Sequence, residues 1–148
     1  MKNSAFPILL FICFWLALNY LISFFTGWLA LAEIYRATQP FEGERWHFQS
    51  AKFRFTSGYK HVLTIGSNKE GLFLSVFFLF RVGHAPLFIP WQDISVRPAK
   101  FLWFRMFQFE FRQVPSIKVR LREKLGEKIQ AAAGQFWPGD RASTGAAF

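Results

Sequence analysis

Residues 3–32 read NSAFPILLFICFWLALNYLISFFTGWLALA, an uninterrupted run of uncharged residues between Lys2 and Glu33. A helix rises about 1.5 Å per residue, so about 20 apolar residues cross the hydrocarbon core of a bilayer. This run is long enough, and Pro7 falls in a first turn, where its missing N–H costs little. The side chains expected to face lipid are Phe6, Leu10, Phe14, Trp15, Leu18, Leu21, Phe25 and Trp28. Trp28 and Tyr35 stand where interfacial aromatics collect. Asn19 interrupts the run and reads either as a polar contact to a neighbouring helix or as a tolerated single polar residue. A cleaved signal peptide is the rival reading, since Ala30-Leu31-Ala32 has the small-x-small form of a cleavage site. The apolar region is much longer than the 7–15 residues usual in a signal, which favours an anchor.

Outward from that run the hydropathic period changes. Gln39-Pro40 and Glu42-Gly43 carry turn chemistry, and a linker is expected over 37–44. Trp46 and Phe48 then share one parity, whereas Ala51, Phe53 and Phe55 take the other, alternating with Lys52 and Arg54. A change of phase within a strand marks a bulge, here near Ser50. Strands follow over His61–Ser67 and Leu72–Phe80. The second is almost wholly apolar, as befits a central strand or one whose outer face meets lipid. Leu87–Ile89, Ile94–Val96, Phe101–Arg112 and Ile117–Leu121 continue the pattern, joined by turns at Gly83, Pro98 and Pro115. The last element is helical. Leu121, Leu125 and Ile129 recur every four residues, and Gly134 stands as a stop.

Eighteen Lys and Arg against nine acids give a formal charge of +9, which suits anionic partners. Lys118, Arg120 and Arg122 alternate on one strand face, with Lys124 just beyond and Arg112 across the preceding turn. These five residues form the candidate surface for an anionic partner. Beside an anchor, the nearest such surface is the bilayer, worth about 1 kcal/mol per basic residue close to it. Inward-alternating aromatics leave no stacking platform for nucleic acid. One thiol, Cys13 in the apolar run, excludes an internal disulfide and a thiolate zinc centre. His47, His61 and His84 lack chelate spacing, and neither a nucleophile elbow nor a phosphate-binding loop is present. No catalytic residue, cofactor or metal is therefore expected. Asp93 reads as a strand-end carboxylate accepting local N–H groups.

The segment Leu87-Phe88-Ile89-Pro90-Trp91-Gln92-Asp93-Ile94 resembles the apolar strand and acidic-Ile pair of bacterial PH-like and GRAM-like domains. Together with the element order, the resemblance to the pleckstrin-homology-like superfold covers roughly Arg45 to Ala133. It implies an antiparallel barrel of about seven strands, plugged by the C-terminal helix, and a habit of binding without a fixed ligand. It also resembles small bacterial proteins built as one anchor plus one such domain. The expected chain is thus α+β, mainly β. A transmembrane anchor covers 1–36, the PH-like domain 45–134 and a flexible tail 135–148. It would be a single-pass protein of the bacterial inner membrane with its C-terminal domain cytoplasmic, binding lipid headgroups or a membrane-protein partner.

Overall fold

The computed structural model describes residues 4–53, 58–101 and 103–138. Arg54, Phe55 and the end of the expected tail, from residue 139, lie outside the described residues. The long apolar run forms two helices, α1 (Ala5–Thr26) and α2 (Trp28–Tyr35). Between them Gly27 takes φ 90°, a left-handed conformation that only glycine adopts without steric cost. Trp28, Leu31, Ala32 and Tyr35 recur at i, i+3, i+4 and i+7, so α2 has one apolar stripe, and that stripe is buried in the following domain. The segment expected to be anchor as far as residue 36 therefore changes role at Gly27. Trp28, expected at the lipid interface, is fully buried in the core. Its Nε1–H donates to the Ala85 carbonyl at 2.8 Å.

Seven antiparallel strands follow: β1 (Glu44–Lys52), β2 (Gly58–Ser67), β3 (Gly71–Val76), β4 (Leu87–Pro90), β5 (Ile94–Phe101), β6 (Phe104–Phe111) and β7 (Val114–Arg122). They form one sheet in the order β4-β3-β2-β1-β7-β6-β5. The expected barrel is an open sheet. β4 and β5 are its two edges, and a 3-10 turn, Trp91–Asp93, joins them without pairing them. β1 bridges the two halves, and among the described residues its register pair with β7 is Lys52 opposite Arg120. The phase change in β1 is real: its register against β2 shifts between Trp46 and Gln49 and again between Gln49 and Ala51. The long apolar segment 72–80 is shorter as a strand than expected. β3 stops at Val76, and Phe78–Phe80 form a 3-10 turn within the β3–β4 loop.

Both halves of the sheet bury their inner faces in one core, reaching from Leu63, Ile65 and Leu74 to Phe109, Val119 and Leu121. α2 enters that core from the N-terminal side. The C-terminal helix α3 (Glu123–Ala133) closes it with Leu125, Ile129 and Ala133. Gly126 is required in α3 by close approach, since a Cβ there would lie 1.8 Å from the Phe107 ring. Trp137 is also buried and meets Trp91, Phe107 and Phe109 edge-on, so ordered packing continues into the segment expected to be flexible from 135.

Candidate functional site

Of the five basic residues expected to act together, three share a face. Lys118 stands opposite Glu110, Arg120 opposite Gln108, and Arg122 opposite Met106 along the β6–β7 ladder. Glu110 is flanked by Lys118 Nζ at 4.0 Å and by Arg97 Nε at 3.9 Å, and Arg120 Nε–H donates to Gln108 at 3.0 Å. The Arg122 guanidinium lies 5.7 Å from the Phe104 ring centroid. Arg112 is apart from this row. It occupies the β6–β7 turn, outside the alternation of either strand, and its backbone N–H donates to the Asp93 carbonyl at 2.7 Å. Lys124 belongs to the exposed side of α3, beyond the strand's alternation.

What the face adjoins is a groove of about 510 Å³ between the end of β7 and the β1–β2 hairpin. Its cationic lining is Lys52, Lys60 and Arg122, and no carboxylate is among its described lining residues. A larger concavity of about 770 Å³ lies under the 36–42 connection, but there Arg36 and Lys69 are balanced by Glu42 and Glu70. The smaller groove is therefore the electrostatically one-sided one. Two of its residues, Phe48 and His61, have φ 56°, uncommon for side chains bearing a Cβ. Such strain persists only where surrounding structure holds it, and it collects at functional sites. Here the bulge in β1 and the facing irregularity in β2 swing Lys60, His61 and Phe48 outward. Lys52 and Lys60 are far from Arg122 in sequence. Sequence alternation alone identified Arg122, and only the β1–β7 register brings Lys52 beside that face.

The expected anchor residues also sort themselves. Phe6, Leu10, Phe14, Leu18, Leu21 and Phe25 are exposed, whereas Trp15 is half-buried against the β3–β4 loop. The buried residues of α1 are Asn19, Ser23 and Thr26, all polar. At spacings of four and three they form one stripe, which faces the sheet domain rather than a second helix. Asn19 donates to the Trp15 carbonyl at 2.8 Å, and the Ser23 hydroxyl donates to the Gly83 carbonyl.

Thr26, Tyr59 and His84 tie this helix to the sheet. The Tyr59 hydroxyl lies 2.7 Å from Thr26 Oγ1 and 2.6 Å from His84 Nε2, while His84 Nδ1 is 3.0 Å from the Val82 carbonyl. A carbonyl only accepts, so Nδ1 carries the proton. Nε2 then accepts from Tyr59, and Thr26, whose hydroxyl donates to the Ile22 carbonyl at 2.9 Å, stands beside the Tyr59 oxygen. Burial lowers the His84 pKa and raises that of Tyr59, keeping both neutral at pH 7. His47 pairs with Thr64 at 3.0 Å, so the three histidines occupy separate environments. Asp93 accepts from Tyr35 at 3.2 Å and Gln113 at 2.9 Å, side chains of distant elements instead of the local N–H groups expected.

Against known proteins, no family, no curated protein and no solved structure matches this chain.

Proposed function

We propose that this chain is a membrane-anchored, non-catalytic binding module of PH-like type, whose basic face and adjoining groove receive an anionic lipid headgroup. The observation that carries the reading is the one-sided charge of the groove: Lys60 and Arg122 line it beside Lys52, with no carboxylate among its described lining residues. An element order of seven antiparallel strands closed by a helix supports the PH-like resemblance. α1 is long and apolar enough to cross a bilayer. The groove also stands near that helix. Its rim residue Phe48 meets Phe77 at 6.1 Å, and Phe77 begins the loop that packs on α1. Phosphate oxygens in the groove would accept charge-assisted hydrogen bonds from Lys60 and Arg122.

The test is calorimetric titration of full-length protein in neutral detergent with short-chain phosphatidylglycerol, against phosphatidylcholine of equal chain length. Preferential binding of the anionic lipid is expected, weakening with salt. Lys60→Gln and Arg122→Gln are each expected to reduce it about fivefold, the equivalent of about 1 kcal/mol per charge. Equal binding of the two lipids, insensitive to salt, overturns the reading.

A second reading, a protein partner, rests on the β5–β6 hairpin tip, where Trp103 is 81% exposed beside exposed Phe104. Large exposed aromatics are frequent anchors of protein interfaces. Recovery of the same stoichiometric partner from native membranes by wild type, and its loss with Trp103→Ala, would support that reading over the first.

A further inference from the structure

We propose that the β3–β4 loop, Phe77–Gly83, is itself inserted among the lipid chains alongside α1, so that the domain holds the bilayer through a helix and a re-entrant loop together. The inference rests on the membrane reading of α1 and does not need the headgroup groove. Phe78, Leu79 and Val82 are exposed at 62%, 52% and 41%, and they continue the exposed apolar surface of α1. The contacts fix the loop's depth along the helix. Gly83 lies against Tyr20 and Ser23, the Phe80 ring meets that of Trp15 tilted at 5.2 Å, and Trp15 Nε1–H donates to the Leu79 carbonyl at 3.0 Å. From Thr26 to Trp15 is a descent of about 16 Å at 1.5 Å per residue, roughly half the hydrocarbon thickness.

Non-helical backbone survives at that depth only when its polar groups are satisfied by protein. Here α1 and α2 supply the donors: Trp15 to Leu79, Ser23 to Gly83 and Trp28 to Ala85. Within the loop, the carbonyls of Phe77, Phe78 and Arg81 accept from the N–H groups of Phe80, Arg81 and His84. The one charge, Arg81, is turned back, its Nε–H donating to the Val76 carbonyl at the end of β3. That bond holds the side chain against the sheet domain, where a cation in a lipid-facing loop finds a polar partner. Four features of one loop thus agree: exposed apolar side chains, continuity with α1, donors offered by the helix to its carbonyls, and a charge withdrawn toward the domain.

The experiment uses full-length protein reconstituted in phosphatidylcholine vesicles and labelled singly with the polarity-sensitive fluorophore NBD. Native Cys13 on α1 reports the helix. Leu79→Cys and Phe78→Cys, each made with Cys13→Ser, report the loop, and Lys69→Cys in the opposite β2–β3 turn reports solvent. The expected result is blue-shifted emission at 13, 78 and 79. Quenching of 79 should be stronger by lipids bearing a nitroxide at carbon 12 than at carbon 5, with water-like emission at 69. Label at 78 and 79 that matches 69 and is quenched by aqueous iodide, while 13 stays deep, overturns the loop insertion and leaves the anchor standing. Water-like emission at 13 as well overturns both.

Discussion

α1 and α2 come from one uncharged stretch, yet they solve opposite problems. α2 follows the rule of a helix in water: its apolar stripe, Trp28, Leu31, Ala32 and Tyr35, is buried. α1 inverts it. Its buried residues are Asn19, Ser23 and Thr26, while Phe14, Phe24 and Phe25 are 64%, 60% and 64% exposed. In water such an arrangement would expose a large apolar surface and bury groups that prefer solvent. In lipid it is the favourable one, because polar side chains then pair with protein instead of hydrocarbon. Hydropathy alone does not separate the two helices. The phase of the polar residues and the left-handed glycine between them do.

That contrast can be broken at several points. The largest effect is expected from Trp28→Ala, which empties a fully buried site and leaves the Ala85 carbonyl without its donor. A loss of about 3–5 kcal/mol should appear as a lowered midpoint in denaturant titration of the detergent-solubilised protein. Ser23→Ala removes the donor to Gly83 and should cost about 1–3 kcal/mol, loosening the loop from α1. Gly27→Ala forces a Cβ into the left-handed region and should cost about 1–2 kcal/mol in the same assay. His84 supplies a pH signature. Its folded pKa is depressed, so the unfolded chain binds the proton more readily. Stability is then full above the unfolded value of about 6.5 and declines as pH falls below it. His84→Gln should flatten that limb of a stability-against-pH series. Phe25→Ala, on the exposed side of α1, should change the midpoint by less than about 0.5 kcal/mol, against the large effect at Trp28.

Much of the sheet could be read from alternation, because one buried face imposes period two on the residues themselves. β7 is the plainest case: Ile117, Val119 and Leu121 point inward, and Lys118, Arg120 and Arg122 share the other face. The helix break at Gly27 could not be read the same way. Apolar residues on both sides give continuous hydropathy whether the neighbour is lipid or a protein core. The same ambiguity extended β3 to Phe80, since Phe77–Phe80 are as apolar as the strand that precedes them. The groove was hidden for a different reason. It brings Lys52, and with it the β1–β2 hairpin that carries Lys60, beside Arg122 through the β1–β7 register, a non-local fact that local pattern does not carry. Arg112 and Lys124 adjoin the strand face in sequence, but they belong to a turn and to the start of α3, where the strand's alternation does not hold.

The most direct test of α1's inverted polarity is a nitroxide scan of residues 12–26 in reconstituted vesicles, measuring accessibility to oxygen and to a water-soluble nickel complex. Oxygen accessibility should be high overall with a helical period and minima at 15, 19, 23 and 26, and the nickel complex should be excluded throughout. A nickel signal that peaks at the apolar positions, or oxygen minima on the Phe14 and Phe25 face, would contradict the account.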